Sequence, residues 1–345
     1  MTKELITRLL AAGEFPEHPC HRELIETHIS WVILCDQFVY KIKKPIQYSF
    51  LDFSTLALRR HFCEREIELN KRLTDNIYID VLPIYEWQDR FIIGGEKGTI
   101  TDYAVRMHKL DREKQMDILL LKNKVTETDI RNLADRIALF HKNTGIIYKK
   151  NFLDVQEQFN DLGTEKEFLV EQFDARKSSI INHAIETSDI FIAKNKELLE
   201  ARLKAGFFRD CHGDLHSRNI FLLPSPQPFD CIEFNDDFRK IDVLNEVAFL
   251  CMDLDAFGQR ELSSLFIDYY NQLFPAMVTD EERRLFIYYK SYRANIRAKV
   301  NSLRAKTAIN ITDKTKALNA VDKYLLLMNS YINSLVSNDG RKLFW

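Results

Sequence analysis

Asp214 stands two residues after His212 and five before Asn219 in the stretch Cys211-His212-Gly213-Asp214-Leu215-His216-Ser217-Arg218-Asn219-Ile220, which runs into Phe221-Leu222-Leu223. Polar groups this dense beside an apolar run are costly unless paired or used, because each unpartnered one loses its hydration. Phosphoryl transfer from ATP has a use for them: a carboxylate orients the attacking hydroxyl and an amide oxygen holds magnesium. The spacing H-x-D-x-x-x-x-N supplies both. A metal site on His212, Asp214 and His216 is the other chemistry open to the stretch, although no further clustered His or Cys offers the remaining ligand.

The following residues extend the phosphoryl-transfer reading. Phe221–Leu223 read as a strand, Pro224 to Pro228 as a turn and Phe229–Phe234 as a returning strand. Strand alternation puts Asp230, Ile232 and Phe234 on one face and Phe229, Cys231 and Glu233 on the other. Either Asp230 or Glu233 can be the second metal-holding carboxylate.

The run His212-Gly213-Asp214-Leu215-His216-Ser217-Arg218-Asn219, then Ile232-Glu233-Phe234, then Asp242 and Glu246, resembles the aminoglycoside phosphotransferase family, a branch of the protein-kinase-like fold. The resemblance spans roughly residues 25 to 260 and is most specific in the catalytic loop. It implies an α+β fold of two lobes, an N-terminal antiparallel sheet lobe and a larger, mostly helical C-terminal lobe. It also implies that Asp214 is the catalytic base, that Asn219 ligates magnesium, and that Asp242 and Glu246 brace the loop. Glu233 fills a place where relatives carry a metal-binding Asp. Its extra methylene shifts the carboxylate by about one bond length, and magnesium demands near-octahedral geometry.

A chain of 345 residues is long enough for two lobes and a large core. Its 46% hydrophobic and 29% charged residues are ordinary for a globular protein, and a formal charge of -2 gives no electrostatic case for bulk nucleic-acid or membrane binding. Six scattered cysteines with no C-x-x-C pair fit neither a zinc ribbon nor a disulfide framework. With no leader-like segment and no apolar run of membrane-spanning length, a cytoplasmic protein is the expectation.

Two elements must position the phosphates. Thr27–Leu34 and Phe38–Lys43 read as a hairpin, with Val39, Lys41 and Lys43 on one face of its second strand. A lysine on an inner face is expensive unless an anion meets it, as ATP phosphates would; by resemblance to the strand lysine of kinases the choice is Lys41, with Lys43 as runner-up. Phe53–Leu73 reads as a helix capped by Ser54, with Glu66 bordering its apolar face as the partner of that lysine. The hairpin turn Glu26-Thr27-His28-Ile29-Ser30 has no glycine. There the hydroxyls of Thr27 and Ser30 and the backbone amides are left to cradle phosphate. No P-loop motif occurs.

Val81–Trp87, Arg90–Gly94 and Thr99–Leu110 complete a sheet of about five strands. By the two-lobed resemblance, backbone groups at Val105 and Met107 would bind adenine, and the lobes divide into 1–107 and 108–345. Before Gly13 a short amphipathic helix covers Thr2–Ala12, and Asp129–His141 ends in a Phe140-His141 pair in which His141 is a structural hydrogen-bonder. Glu165–Leu203 reads as two charged helices. Arg239 is expected to pair with a neighbouring acid. A long helix from Asp280 to Arg304 carries Lys290, Arg293, Arg297 and Arg304 on one face, and Ile311–Val336 forms the last helix.

The reading is therefore a kinase-like phosphotransferase using ATP and Mg2+ on a small-molecule hydroxyl, an anionic molecule if the basic helix face lines the cleft. The alternative is a nucleotide-binding regulator with little transfer activity. By resemblance, longer relatives fuse this module to a P-loop ATPase, which makes a protein partner part of the expectation.

Overall fold

The computed structural model describes residues 1–337. The chain forms two compact units: one is Met1–Leu119 with Arg218–Arg239, the other Leu120–Ser217 with the chain from Lys240 on. The first division thus falls between Leu119 and Leu120 rather than after Met107, and the stretch after the Asp214 loop, Arg218–Arg239, returns to the first unit.

In the first unit α1 (Lys3–Ala12) opens where Thr2 accepts the Leu5 N–H and buries Ile6 and Leu9. Six antiparallel strands follow: β1 (Glu23–Glu26), β2 (Ser30–Leu34), β3 (Phe38–Lys43), β4 (Tyr78–Trp87), β5 (Arg90–Ile93) and β6 (Thr99–His108). Their order in the sheet is β1-β2-β3-β6-β4-β5, so β6 is interior. Sequence pattern expects about five; β1 is the addition. Its Glu-Leu-Ile-Glu run is short and charged at both ends, as edge strands are, and carries little alternation signal.

Strand alternation divides the core between the two faces of the sheet. Tyr40, Ile42, Ile33, Trp31 and Ala104 join Ile6 and Leu9 on one side. On the other, Val39, Val105 and Met107 pack with Cys63 of α2 (Leu56–Asn70). Lys41 and Lys43 alternate with Tyr40 and Ile42 and so belong to the α2 side, where Arg59, Cys63, Glu66 and Asn70 recur at helical spacing and are buried. The helix cap is Thr55, which accepts the Leu58 N–H at 3.2 Å, and not Ser54, whose N–H and hydroxyl are both turned back to Asp52.

The returning segment pairs only Ile220–Phe221 with Gln227–Pro228. The strand expected over Phe229–Phe234 does not form. Asp230 takes φ +63°, a left-handed conformation that ends the extended run.

The second unit is helical. α3 (Glu127–Asn143) starts in a Thr126/Asp129 capping box and packs on α5 (Arg260–Leu273). α4 (Val243–Ala256) is buried over nearly its whole length and packs on α6 (Asp280–Thr307), which in turn packs along α7 (Ile311–Val336). The region expected as two charged helices is divided into three, Lys166–Gln172, Ala175–Lys194 and Lys196–Lys204. No helix among the described residues is long and apolar enough to cross a membrane.

Candidate functional site

In the first unit a cluster of two ammoniums and three carboxylates forms around β3 and α2. Lys41 Nζ lies 2.8 Å from Glu66 Oε1 and 2.6 Å from Asp230 Oδ1. Lys43 Nζ lies 2.8 Å from Glu66 Oε2 and also bonds Glu233 Oε1. Both lysines therefore share Glu66, because a two-residue step on a strand keeps them on one face. The other glutamates of α2 are surface pairs: Glu64 meets Arg60 and Glu68 meets Arg65.

Charge within this cluster governs protonation. Burial would raise the Glu66 carboxyl, but Lys41 and Lys43 overcome it and hold it down at about 2. Burial likewise opposes the Lys41 ammonium, yet Asp230 and Glu66 bind its proton far more firmly than usual. Lys43 is raised in the same way by Glu233 and Glu66 against burial. At Glu233 burial wins and lifts the carboxyl, with Lys43 pulling the other way and Glu66 adding repulsion. Two carboxylates on one buried ammonium titrate as a pair, and Glu66, which bonds both lysines, keeps the charge.

Asp230 and Glu233 were expected on opposite strand faces, yet both reach the β3 lysines. The left-handed turn at Asp230 breaks the alternation that would have separated them. The Asp230 N–H is anchored by the Tyr78 hydroxyl at 3.1 Å, and the Cys231 N–H by the Asn70 side-chain oxygen at 2.9 Å. Tyr78 and Asn70 have no distinguishing signal in sequence.

The phosphate-turn expectation fares differently. The Thr27 hydroxyl donates to the Ser30 carbonyl and accepts the Ser30 N–H, so the turn consumes it, and Ser30 is buried. Val105 faces Lys41 on one side and Val81 on the other, and Met107 faces Val39 and Tyr78. With cross-strand partners on both sides, their backbones belong to the ladder.

Asn219 is buried in the first unit and its carbonyl accepts the Phe229 N–H at 2.9 Å. The donor set available there for a metal, an amide oxygen and carboxylates, is all oxygen, which suits a hard cation such as magnesium. Asn219 and a carboxylate from 230–233 fit that requirement by chemistry. Arg239 is fully buried and pairs with Asp236 at 2.6 Å, as expected.

In the second unit the loop around Asp214 is held from below by α4. Glu246 accepts the His212 N–H at 2.6 Å and the Gly213 N–H at 2.9 Å. Asp253, two turns further on, accepts the Ser217 N–H at 2.9 Å and its hydroxyl at 2.5 Å. Gly213 itself takes φ +87°, a turn that side chains resist. From α6, Arg293 donates to the Gly213 carbonyl at 3.2 Å and to the Asn245 side chain at 2.6 Å. Asp253 was not foreseen, although its seven-residue interval from Glu246 in a largely apolar helix was a readable signal.

Asp214 accepts a contact from His216 Nε2 at 3.3 Å, while its own N–H donates to His212 Nδ1 at 3.2 Å. Burial would raise its carboxyl, but His216, then Arg297 and His212, hold it well below the usual carboxylate range. It is an ionised acceptor at neutral pH. The alternative metal site on His212, Asp214 and His216 is not where such groups converge: among the described residues the His, Cys and carboxylate atoms that come together are those of His141, Cys211 and Glu246, within 4.8 Å. His141 hydrogen-bonds the Tyr270 hydroxyl at 2.8 Å.

Asp242 braces a neighbour rather than the loop. It takes Arg202 at 2.7 and 2.9 Å and caps α4 through the Leu244 N–H. The basic face of α6 is largely turned inward: Lys290 is paired with Asp255 at 2.5 Å, Arg293 is spent on the loop, and Arg297 lies over Tyr324 with its Nε lacking a hydrogen-bond partner. Arg304 is half-buried.

No protein-family profile matches the chain. It is 28% identical over 289 residues to uncharacterized proteins of Mycobacterium tuberculosis and Mycobacterium bovis, covering 81% of this chain and 54% of theirs. The chain thus spans about half the length of the curated relatives it matches. Among solved structures, a choline kinase from Cryptosporidium parvum superposes with a TM-score of 0.56 at 11% identity, covering 94% of this chain and 93% of that one. The GDP complex of aminoglycoside 2'-phosphotransferase-IIIa gives 0.53 at 12% identity, over 94% and 98%. The fold is therefore the kinase-like fold shared by these small-molecule kinases, with an N-terminal antiparallel sheet and a larger helical C-terminal part.

Proposed function

We propose that the chain is an ATP-dependent phosphotransferase of the aminoglycoside phosphotransferase type, which moves the γ-phosphoryl group to a hydroxyl of a small molecule. The observation that carries the reading is Asp214, kept ionised and set in a loop whose backbone is tied down by Glu246, Asp253 and Arg293. An ionised carboxylate there accepts a hydrogen bond from the acceptor hydroxyl, aligns its lone pair for in-line attack and takes its proton as the new oxygen–phosphorus bond forms and the bond from the γ-phosphorus to the β,γ-bridging oxygen breaks, with ADP as the leaving group.

Lys41, steadied by Glu66, binds the phosphates. Asn219 and a carboxylate of 230–233 hold magnesium, which supplies charge neutralisation on the phosphates when bound. Adenine contacts fall to the chain past Lys109, since the ladder takes the backbones of Val105 and Met107. An anionic acceptor would draw on Arg297, which is itself buried but whose Nε lacks a hydrogen-bond partner, since Lys290 is paired with Asp255 and Arg293 is spent on the loop. A cytoplasmic setting would keep the six free cysteines reduced.

A regulator that binds nucleotide without transfer is the second reading. It is favoured by the glycine-free turn that spends Thr27 on itself. Magnesium-dependent ATP binding and hydrolysis in wild type, Asp214→Asn and Lys41→Ala separate the two. The enzyme reading expects slow hydrolysis by wild type, a loss of about 10²–10⁴-fold in Asp214→Asn with ATP binding kept, and weakened binding in Lys41→Ala. Equal ATP binding by all three proteins with no turnover would establish the regulator and overturn the role given to Lys41.

A further inference from the structure

Two carboxylates lie close in sequence within the first unit, and the structure treats them differently. Glu233 is 4% exposed and bonded to Lys43, which is itself fully buried, sits 4.9 Å from the Phe53 ring and shares Glu66. Drawing Glu233 away to a cation would leave a dehydrated ammonium with one of its two carboxylates gone. Both partners of that pair are buried, whereas magnesium keeps several waters and binds through one or two carboxylates plus phosphate oxygens.

Asp230 has the opposite properties. Its side chain is 43% exposed, and only Oδ1 is engaged, by Lys41 at 2.6 Å. Oδ2 has no hydrogen-bond partner among the described residues. Its left-handed backbone, φ +63°, is an unfavourable conformation that the Tyr78 hydroxyl fixes through the Asp230 N–H. The carboxylate is thereby presented beside Lys41, the residue assigned to the phosphates.

We propose that Asp230, rather than Glu233, is the carboxylate ligand of the nucleotide-bound divalent cation, and that Glu233 serves as the buried anchor of Lys43. The assignment rests on the phosphotransferase reading and deepens it. It also removes the difficulty of a glutamate in a place where relatives carry Asp: the longer side chain reaches a lysine, and the shorter carboxylate, three residues earlier, meets the metal.

The test is uptake of Mn2+ in the presence of ATP, followed by the loss of the free-ion electron paramagnetic resonance signal. The proteins are wild type, Asp230→Asn, Glu233→Gln and the double variant Lys43→Met/Glu233→Met. Asn tolerates the left-handed backbone, so Asp230→Asn keeps the fold. The double variant replaces the buried pair by apolar side chains and covers the case in which Glu233→Gln does not fold. Expected is a loss of at least about tenfold in Mn2+·ATP affinity for Asp230→Asn. Wild-type affinity is expected in whichever Glu233 variant folds. Normal Mn2+ uptake by Asp230→Asn, or loss of uptake in a folded Glu233 variant, would overturn the assignment while leaving the enzyme reading intact. Failure of wild type to take up Mn2+ with ATP would overturn both.

Discussion

Lys43 Nζ sits 2.8 Å from Glu66 Oε2, with both side chains wholly removed from solvent. A buried ion pair is weak grounds for net stability, but removing one member strands the other in a dry interior. Lys43→Met should therefore destabilise the protein by about 3–5 kcal/mol in urea unfolding, and adding Glu233→Met should recover a large part of that loss. No recovery in the double variant would mean that Glu233 is not the group Lys43 neutralises.

Glu66 should give the protein an acid-side stability slope. Its folded carboxyl is held at about 2 against an ordinary value of 4.5, so its contribution is present above the ordinary value and fades as pH falls through that window. Glu233 is raised and works in the opposite sense, its contribution being lost as pH rises through its folded value. Urea midpoints measured downward from pH 4.5 should fall in wild type and fall less in Glu66→Gln. Parallel curves would show that other carboxylates set the slope.

Glu246 receives two loop N–H groups, one on each oxygen. Replacing it by Gln leaves one acceptor oxygen and points an NH2 group at the other amide. The expected cost is about 1.5–3 kcal/mol, the range for hydrogen bonds to a charged group, together with faster hydrogen exchange at His212 and Gly213. Unchanged exchange at those two amides would count against the bracing role.

His216 is the first charge partner that holds the Asp214 carboxyl down. In His216→Gln that carboxyl should rise toward the ordinary aspartate value, moving the acid limb of the pH–rate profile for transfer upward. The direction follows because loss of a nearby positive charge favours the protonated form. A limb that stays in place would assign the depressed value to Arg297 and His212.

Several parts of the site were readable from residue order because the physics behind them is local. The shared face of Lys41 and Lys43 follows from strand alternation, and Glu66 from its position against the apolar stripe of a helix. Local chemistry also misled. Ser54 and Thr55 are both good caps, and only the Asp52 side chain decides between them. Thr27 looked available for phosphate until the turn claimed its hydroxyl.

The sequence by itself determined most of the sheet and helix pattern and the lysine–glutamate pairing, because periodicity and short-range spacing specify which side chains share a face. Tertiary structure alone decided that one glutamate serves two lysines, that Asp230 and Glu233 both meet them, and that Asp253 and Arg293 join Glu246 beneath the loop. Those contacts join residues far apart in the chain, and their geometry hangs on one left-handed residue and on burial. A charged side chain left without a partner in that interior costs several kcal/mol, roughly, so the fold settles which charges meet.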